Sequence, residues 1–261
     1  MNQSRLTEMI SDELQGKRAV VTGGSRGIGA AIAQRLLDAG ATVVTAARNP
    51  TADAPSEANF VRADLSTSGG VREFADAALQ ILGGVDIIVN NAGGVRAFPN
   101  ALDIEEDWQY TMDINFLAAV RLNSALVPSM IASGGGVIVH LSSIATLSSH
   151  PLLLHYAAAK SALVVYGKGL AVQLAPQGIR VVAVSPGRVA TPGADEALEK
   201  MSAHLGDSTE LDSETWVGDI PLGRIGQSHD IAEAVGFLVS PRATWITGST
   251  LSIDGGQSAA L

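Results

Sequence analysis

Cysteine is absent from all 261 residues, which removes disulfides, thiolate metal sites and cysteine nucleophiles together and fits a reducing, cytoplasmic setting. Positive charge is scarce. The 17 Lys and Arg stand against 26 Asp and Glu for a formal net charge of −9, and no basic run occurs, so no nucleic-acid partner is expected. An anionic small ligand would need locally placed positive charge. The opening MNQSRLTEMISDELQGK lacks the apolar core of a signal peptide, and no apolar run reaches the length of a membrane span, so no membrane partner is expected. Internal repeats and low-complexity tracts are missing too. What is present is a folding composition, 46% hydrophobic and 16% charged with 28 Gly and 10 Pro, of a length that suits one α/β domain over 1–261 with residues 1–15 as an N-terminal extension.

Short Val- and Ile-rich runs alternate with longer Ala/Leu segments of helical period. KRAVVTGG, ATVVTAAR, NFVRADL, VDIIVNNAG, GGVIVHLSS, IRVVAVSPG and STLSID read as strands. Between them, GAAIAQRLLDAG, VREFADAALQIL, Trp108 to about Met130, Tyr156 to Leu174 and Asp230 to Val239 read as helices, with Pro128 expected to end or kink the third and Ser228 to cap the last. Strands that are unbroken apolar runs are buried on both faces, and alternation with helices makes the sheet parallel: a doubly wound, Rossmann-type α/β fold of about seven strands. Ligands of such folds bind where loops leave the carboxyl ends of the strands. The polar, aperiodic stretch Thr191 to Leu222 reads as a flap beside that site, or as an ordinary surface loop.

After the first strand comes TGGSRGIG, Thr22 to Gly29. A glycine-rich turn between strand and helix lets backbone N–H groups and the helix dipole approach a phosphate, although the glycines at 23, 27 and 29 do not have the G-x-G-x-x-G spacing. The same residues satisfy G-x-S-x-G, which would make Ser25 a hydrolase nucleophile with His204 or His229 as its histidine; an elbow after the first strand, with no HGGG-type loop, speaks against this. At the end of the second strand, where a carboxylate would meet the ribose of NAD, stand Ala47 and Arg48. With Arg26 in the glycine turn, two guanidinium groups could clamp the extra phosphate of NADP, so NADP(H) is preferred over NAD(H); the alternative is two solvated arginines. In HYAAAKS, Tyr156 and Lys160 lie four apart and therefore on one helix face, either as incidental surface or as an acid beside a cation. A cation held close would lower a phenol's pKa towards neutrality.

These elements together resemble the short-chain dehydrogenase/reductase family, from about Gly16 to Gly256: TGGSRGIG, ADL with Asp64, NNAG at 90–93, MDINF with Asn115, LSS at 141–143, YAAAK, SPGRVATP at 185–192 and ITGSTLSIDGG. The resemblance implies a carbonyl or alcohol oxidoreductase with Tyr156 as general acid and base. Lys160 would stand beside it and on the nicotinamide ribose, Ser143 (rather than Ser142) would hold the carbonyl oxygen, and Asn115 would support a proton relay. It implies cofactor contacts at Gly23, Ser25, Arg26, Gly27, Ile28, Gly29, Arg48, Asp64, Leu65, Asn91, Ala92, Gly93, Tyr156, Lys160, Pro186, Gly187, Val189 and Thr191, and a homo-oligomer, tetramer or dimer. The alternative of another class is a non-catalytic NADP-binding or scaffold protein. His140 and His150 read as structural and His155 as either structural or substrate-facing, no cluster has metal-ligand spacing, and residues 94–98, 144–154 and 191–222 would shape a pocket for an uncharged or partly apolar carbonyl compound.

Overall fold

The computed structural model describes residues 13–95, 102, 105–147, 153–196, 199 and 220–260. Seven parallel strands form one sheet: β1 (Arg18–Thr22), β2 (Thr42–Ala47), β3 (Asn59–Arg62), β4 (Ile87–Asn90), β5 (Gly136–Leu141), β6 (Ile179–Pro186) and, last in the chain, β9 (Thr250–Ile253). Their order is β3-β2-β1-β4-β5-β6-β9, so the direction of winding reverses between β1 and β4. The crevice opens there. A two-residue parallel pair, β7 (Val189–Ala190) with β8 (Gly226–Gln227), ties together the chain on either side of the 191–222 segment, most of which lies outside the described residues.

Alternate strand residues feed two separate apolar layers. Val21, Val43, Val89, Val139 and Val184 face α1 (Gly27–Asp38) and α6 (Ser228–Val239). Val20, Val44, Ile88, Ile138 and Val181 face α2 (Ser68–Leu82), α4 (Ala118–Ala132) and α5 (Leu154–Leu174). Both faces being covered is what unbroken apolar strands require. Leu14, inside the segment read as an extension, is itself 1% exposed in the first layer, and Glu13 accepts from Arg35 and Arg242.

Three expectations change. Pro128 neither ends nor visibly divides its helix, which runs on to Ala132; it is exposed, and so is Ser124, whose carbonyl the proline deprives of a donor but which water can reach. The cap of α6 is Gln227, whose N–H donates to Asp230 Oδ2 at 2.7 Å, and Ser228 is already the first helical residue. Finally, an apolar stretch of spanning length does exist: α3 (Glu105–Met112), a π-helical turn (Asp113–Leu117) and α4 make Asp107–Ala132 a 26-residue helical run of mean hydropathy 1.3 in its most apolar window. Leu122, Leu126 and Met130 of that run are buried in the second layer, as core residues of the sheet.

Candidate active site

At the β1 end, side chains are missing where backbone must come close. Gly23 and Gly27 have φ of +68° and +59°, and a Cβ on Gly29 would lie 2.2 Å from the carbonyl oxygen of Gly23. Arg26, the N-cap of α1, makes no side-chain cap, and no acidic residue occupies the first turn. The leading N–H groups of α1, including those of Gly27 and Ile28, are thus set for an anion. The turn is clamped from β4: Asn91 Nδ2 donates to the carbonyl of Thr22 at 2.8 Å, and the N–H groups of Asn91 and Ala92 both donate to Thr22 Oγ1 at 2.9 Å. Ser25 is buried, its carbonyl accepts from the Thr51 hydroxyl, and its own hydroxyl has no histidine partner among the described residues. His204 lies outside them.

The arginines divide. Arg26 is paired through both Nη atoms with Glu196 at 2.6 and 3.2 Å, so it is engaged and not free in the turn as the sequence suggested. The side chain of Arg48, exposed at the end of β2, makes no hydrogen bond or ion pair among the described residues. Arg62, which the sequence reading passed over, donates to the carbonyl of Arg48 at 2.9 Å and to Asn49 at 2.7 Å. Its signal was a cation two residues before Asp64, at the end of the neighbouring strand. Asp64 accepts from Ser66 Oγ and N, which hold its carboxyl below the usual range with help from Arg48. Leu65 is buried in the second layer. Metal-binding clusters are absent among the described residues.

At the other end four side chains converge from three elements. Asn115, 2% exposed in the π-helical turn, accepts from Gly94 N–H at 3.1 Å and donates to the carbonyls of Gly94 and Thr111 at 3.0 and 3.1 Å. Lys160, 3% exposed, donates from Nζ to the carbonyl of Leu141 at 2.7 Å. A Cβ on Gly93 would lie 2.6 Å from Asn115 Oδ1 and 3.1 Å from Lys160 Nζ, so this glycine's bareness brings the turn, the amide and the ammonium together. Tyr156 is half-buried and hydrogen-bonded to Ser143, whereas Ser142 is buried and turned to the carbonyl of Lys160. The sequence suggested that Lys160 lowers the phenol's pKa. Instead burial is the largest influence on Tyr156 and raises it, against the hydrogen bond with Ser143. The same dry surroundings push Lys160 down to about 8, and its Nζ stands 5.7 Å from the Tyr156 ring centroid.

Beyond β6 the backbone folds back on the crevice. A Cβ on Gly187, after Pro186, would lie 2.7 Å from Asp254 Cβ. Val189 is buried in the first layer, and Thr191 caps the next turn by accepting from Ala194 N–H at 3.1 Å while its methyl faces Gly27. His155 packs edge-on against Trp108 with centroids 6.0 Å apart. Residues 96–98, 148–152, including His150, and most of the 191–222 segment lie outside the described residues.

The family profile described as enoyl-(acyl carrier protein) reductase matches residues 23–258. A 3-oxoacyl-acyl-carrier-protein reductase of Chlamydia muridarum is 34% identical over 255 residues, covering 94% of this chain and 98% of that protein. The 3beta-hydroxysteroid dehydrogenase 1 of Eggerthella lenta is 36% identical over 258 residues, covering 95% of each. The crystal structure of a 3-ketoacyl-(acyl-carrier-protein) reductase from Brucella melitensis complexed with NADH superposes with a TM-score of 0.83 at 33% identity, covering 94% of this chain and 99% of that one. These relatives are oxidoreductases, so Ser25 as a hydrolase nucleophile is set aside. Profile, relatives and fold agree that the chain belongs to the short-chain dehydrogenase/reductase family, whose NAD(P)-dependent oxidoreduction it shares.

Proposed function

We propose that the protein is an NADP(H)-preferring oxidoreductase that interconverts a carbonyl and a secondary alcohol on an uncharged or partly apolar small molecule. One observation carries the reading: Asn115 and Lys160 meet at Gly93, and Tyr156, one helical turn from Lys160, is hydrogen-bonded to Ser143, beside the crevice at the β1–β4 switch. Glycine clearance at positions 23, 27, 29 and 93, uncapped N–H groups on α1 and a buried ammonium suit a nicotinamide dinucleotide. Gly23 to Gly29 would hold its phosphates, Arg48 beside Arg62 the extra phosphate, Asp64 with Asn91 to Gly93 the adenosine side, and Pro186 to Thr191 with Lys160 the nicotinamide side. The dinucleotide, when bound, supplies or accepts the hydride.

The chain's own residues handle the proton and the charge. The Tyr156 phenol, kept protonated by its dry surroundings, donates to the carbonyl oxygen in reduction and takes the proton back in oxidation. Ser143 holds that oxygen. Lys160, with a pKa near 8, is still largely charged at neutral pH and favours the phenolate that donation leaves behind. Asn115 ties the turn at Gly94 to the helix below, fixing one wall of the pocket. A homo-oligomer is proposed as well, since α5 leaves the large apolar side chains of Val165 and Val172 exposed. The test is oxidation of NADPH and NADH by purified protein across ketones, β-ketoesters, 3-ketosteroids and keto-sugars. NADPH-dependent turnover is expected; tight nucleotide binding with no turnover on any member would favour a non-catalytic binder.

A further inference from the structure

Within the mostly apolar layer beneath α4 and α5, four polar side chains meet. Asn90 ends β4, His140 lies on β5, Asn123 on α4 and Tyr166 on α5; the first three are 4% exposed or less. Asn90 and His140 are direct neighbours in the sheet. Asn90 Nδ2 donates to Asn123 Oδ1 at 3.0 Å and faces His140 Nδ1 at 3.3 Å, Asn123 Nδ2 donates to the Tyr166 hydroxyl at 3.4 Å, and the His140 and Tyr166 rings stand 5.8 Å apart. Because Asn90 presents donors, His140 Nδ1 accepts and the imidazole proton sits on Nε2. That Nε2, like Asn90 Oδ1, has no hydrogen-bond partner among the described residues. Such atoms are costly to leave buried, so packing alone would favour apolar residues here.

The four elements that meet at this cluster also deliver the site. β4 runs into Asn91 to Gly93, β5 into Leu141 to Ser143, the turn before α4 holds Asn115, and α5 carries Tyr156 and Lys160. Lys160 and Gly167 are two turns apart on one face of α5. At Gly167 the helix rests on the imidazole, since a Cβ there would lie 3.0 Å from His140 Cδ2. At Lys160 it reaches the carbonyl of Leu141, the residue next to His140.

We propose that His140 is a positioning residue for Lys160: held by Asn90 and packed under Gly167, its imidazole sets how close α5 lies to β5 and so how deeply the ammonium is buried. The functional meaning of this rests on the reading of Lys160 given above. The titratable groups facing His140 are Tyr166 and Lys160, both from α5, while β4 and α4 offer the neutral amides of Asn90 and Asn123.

The test needs no substrate. Competitive labelling with acetic anhydride across a pH series, read by peptide mass spectrometry, gives the midpoint of the Lys160 amine, with NADPH fluorescence titrations run in parallel. Wild type should label with a midpoint near 8. His140→Ala, which lets water reach the amine, should raise the midpoint by about one unit, and His140→Gln, which keeps an acceptor for Asn90, should hold it near the wild-type value. Folded His140→Ala with an unmoved midpoint overturns the proposal. Should His140→Ala fail to fold, Asn123→Ala cuts the same cluster at α4 and must raise the midpoint, or the proposal is equally lost. Wild type that binds neither NADPH nor NADH would refute the nucleotide site instead, and the labelling would still decide the role of His140.

Discussion

At the β1 end of the crevice the residues that matter are those with no side chain, whereas at the β5–α5 end they are side chains buried at a cost. Gly23, Gly27 and Gly29 let backbone approach backbone, and the polar work there falls to N–H groups that every residue possesses. Around Tyr156 and Lys160 the backbone is ordinary helix and the chemistry lies in two titratable groups whose surroundings oppose their charged forms. Among its glycines the first region should be most sensitive to added volume, and at Tyr156 and Lys160 the second should be most sensitive to lost polarity.

The largest expected effect is at the second region. Tyr156→Phe keeps the ring and removes the proton, so turnover on any substrate found should fall about 10²- to 10⁴-fold while NADPH fluorescence titration gives an unchanged affinity. Turnover within a few-fold of wild type would end the assignment. At the first region, Gly29→Ala sets a methyl against the carbonyl of Gly23 and should weaken NADPH binding at least about tenfold and lower stability by about 1–3 kcal/mol. Gly69→Ala in α2, where a Cβ meets nothing within 4 Å, is the control and should be neutral or slightly stabilising in thermal melts. Beyond the first region, at the end of β2, Arg48→Asp should move the NADPH-to-NADH affinity ratio about ten- to a hundredfold towards NADH, as expected for losing charged hydrogen bonds. An unchanged ratio would pass the role to Arg62 or Arg26.

The smallest effect sharpens the contrast through pH. Burial, with Lys160 nearby, lowers His140 from 6.5 to about 3, so the unfolded chain binds a proton that the folded chain refuses. Stability should therefore fall as pH drops below 6.5, before Asp230, lowered from 3.8 to about 2 chiefly by Arg224, begins to protonate and withdraw its own contribution. His140→Gln should flatten denaturant-derived stability between pH 6.5 and 3.8; an unaltered slope would place the acid sensitivity elsewhere. Lys160 works at the opposite end: lowered from 10.5 to about 8, it penalises the fold below pH 8, and the penalty lifts as pH rises towards 10.5.

The order of strands and helices was readable because the central strands β1, β4, β5 and β6 are apolar runs and the segments between them are long and Ala/Leu-rich, and both are local properties. The fate of Pro128 was not, since it turned on whether the Ser124 carbonyl faces water. Nor was the Arg26 pair with Glu196, made across 170 residues by a segment with no periodicity of its own. Tyr156 and Lys160 were legible from one helix turn. His140 was read only as structural, because its partner Asn90 and Asn90's partner Asn123 lie 50 and 17 positions away on separate elements and nothing in the spacing of polar residues in apolar runs announces that they meet.

The π-helical turn at Asp113–Leu117 carries a genetic consequence. Such a turn is an α-helix with one extra residue absorbed in a widened turn, so deleting a single codon within it would restore the regular ladder, leave the flanking helix faces in place and remove the wide turn from which Asn115 reaches Gly94. Asn115 would then leave Gly94 without any substitution at either position. For this stretch of chain, the frequency of surviving one-codon deletions is a more exacting probe of function than any point change.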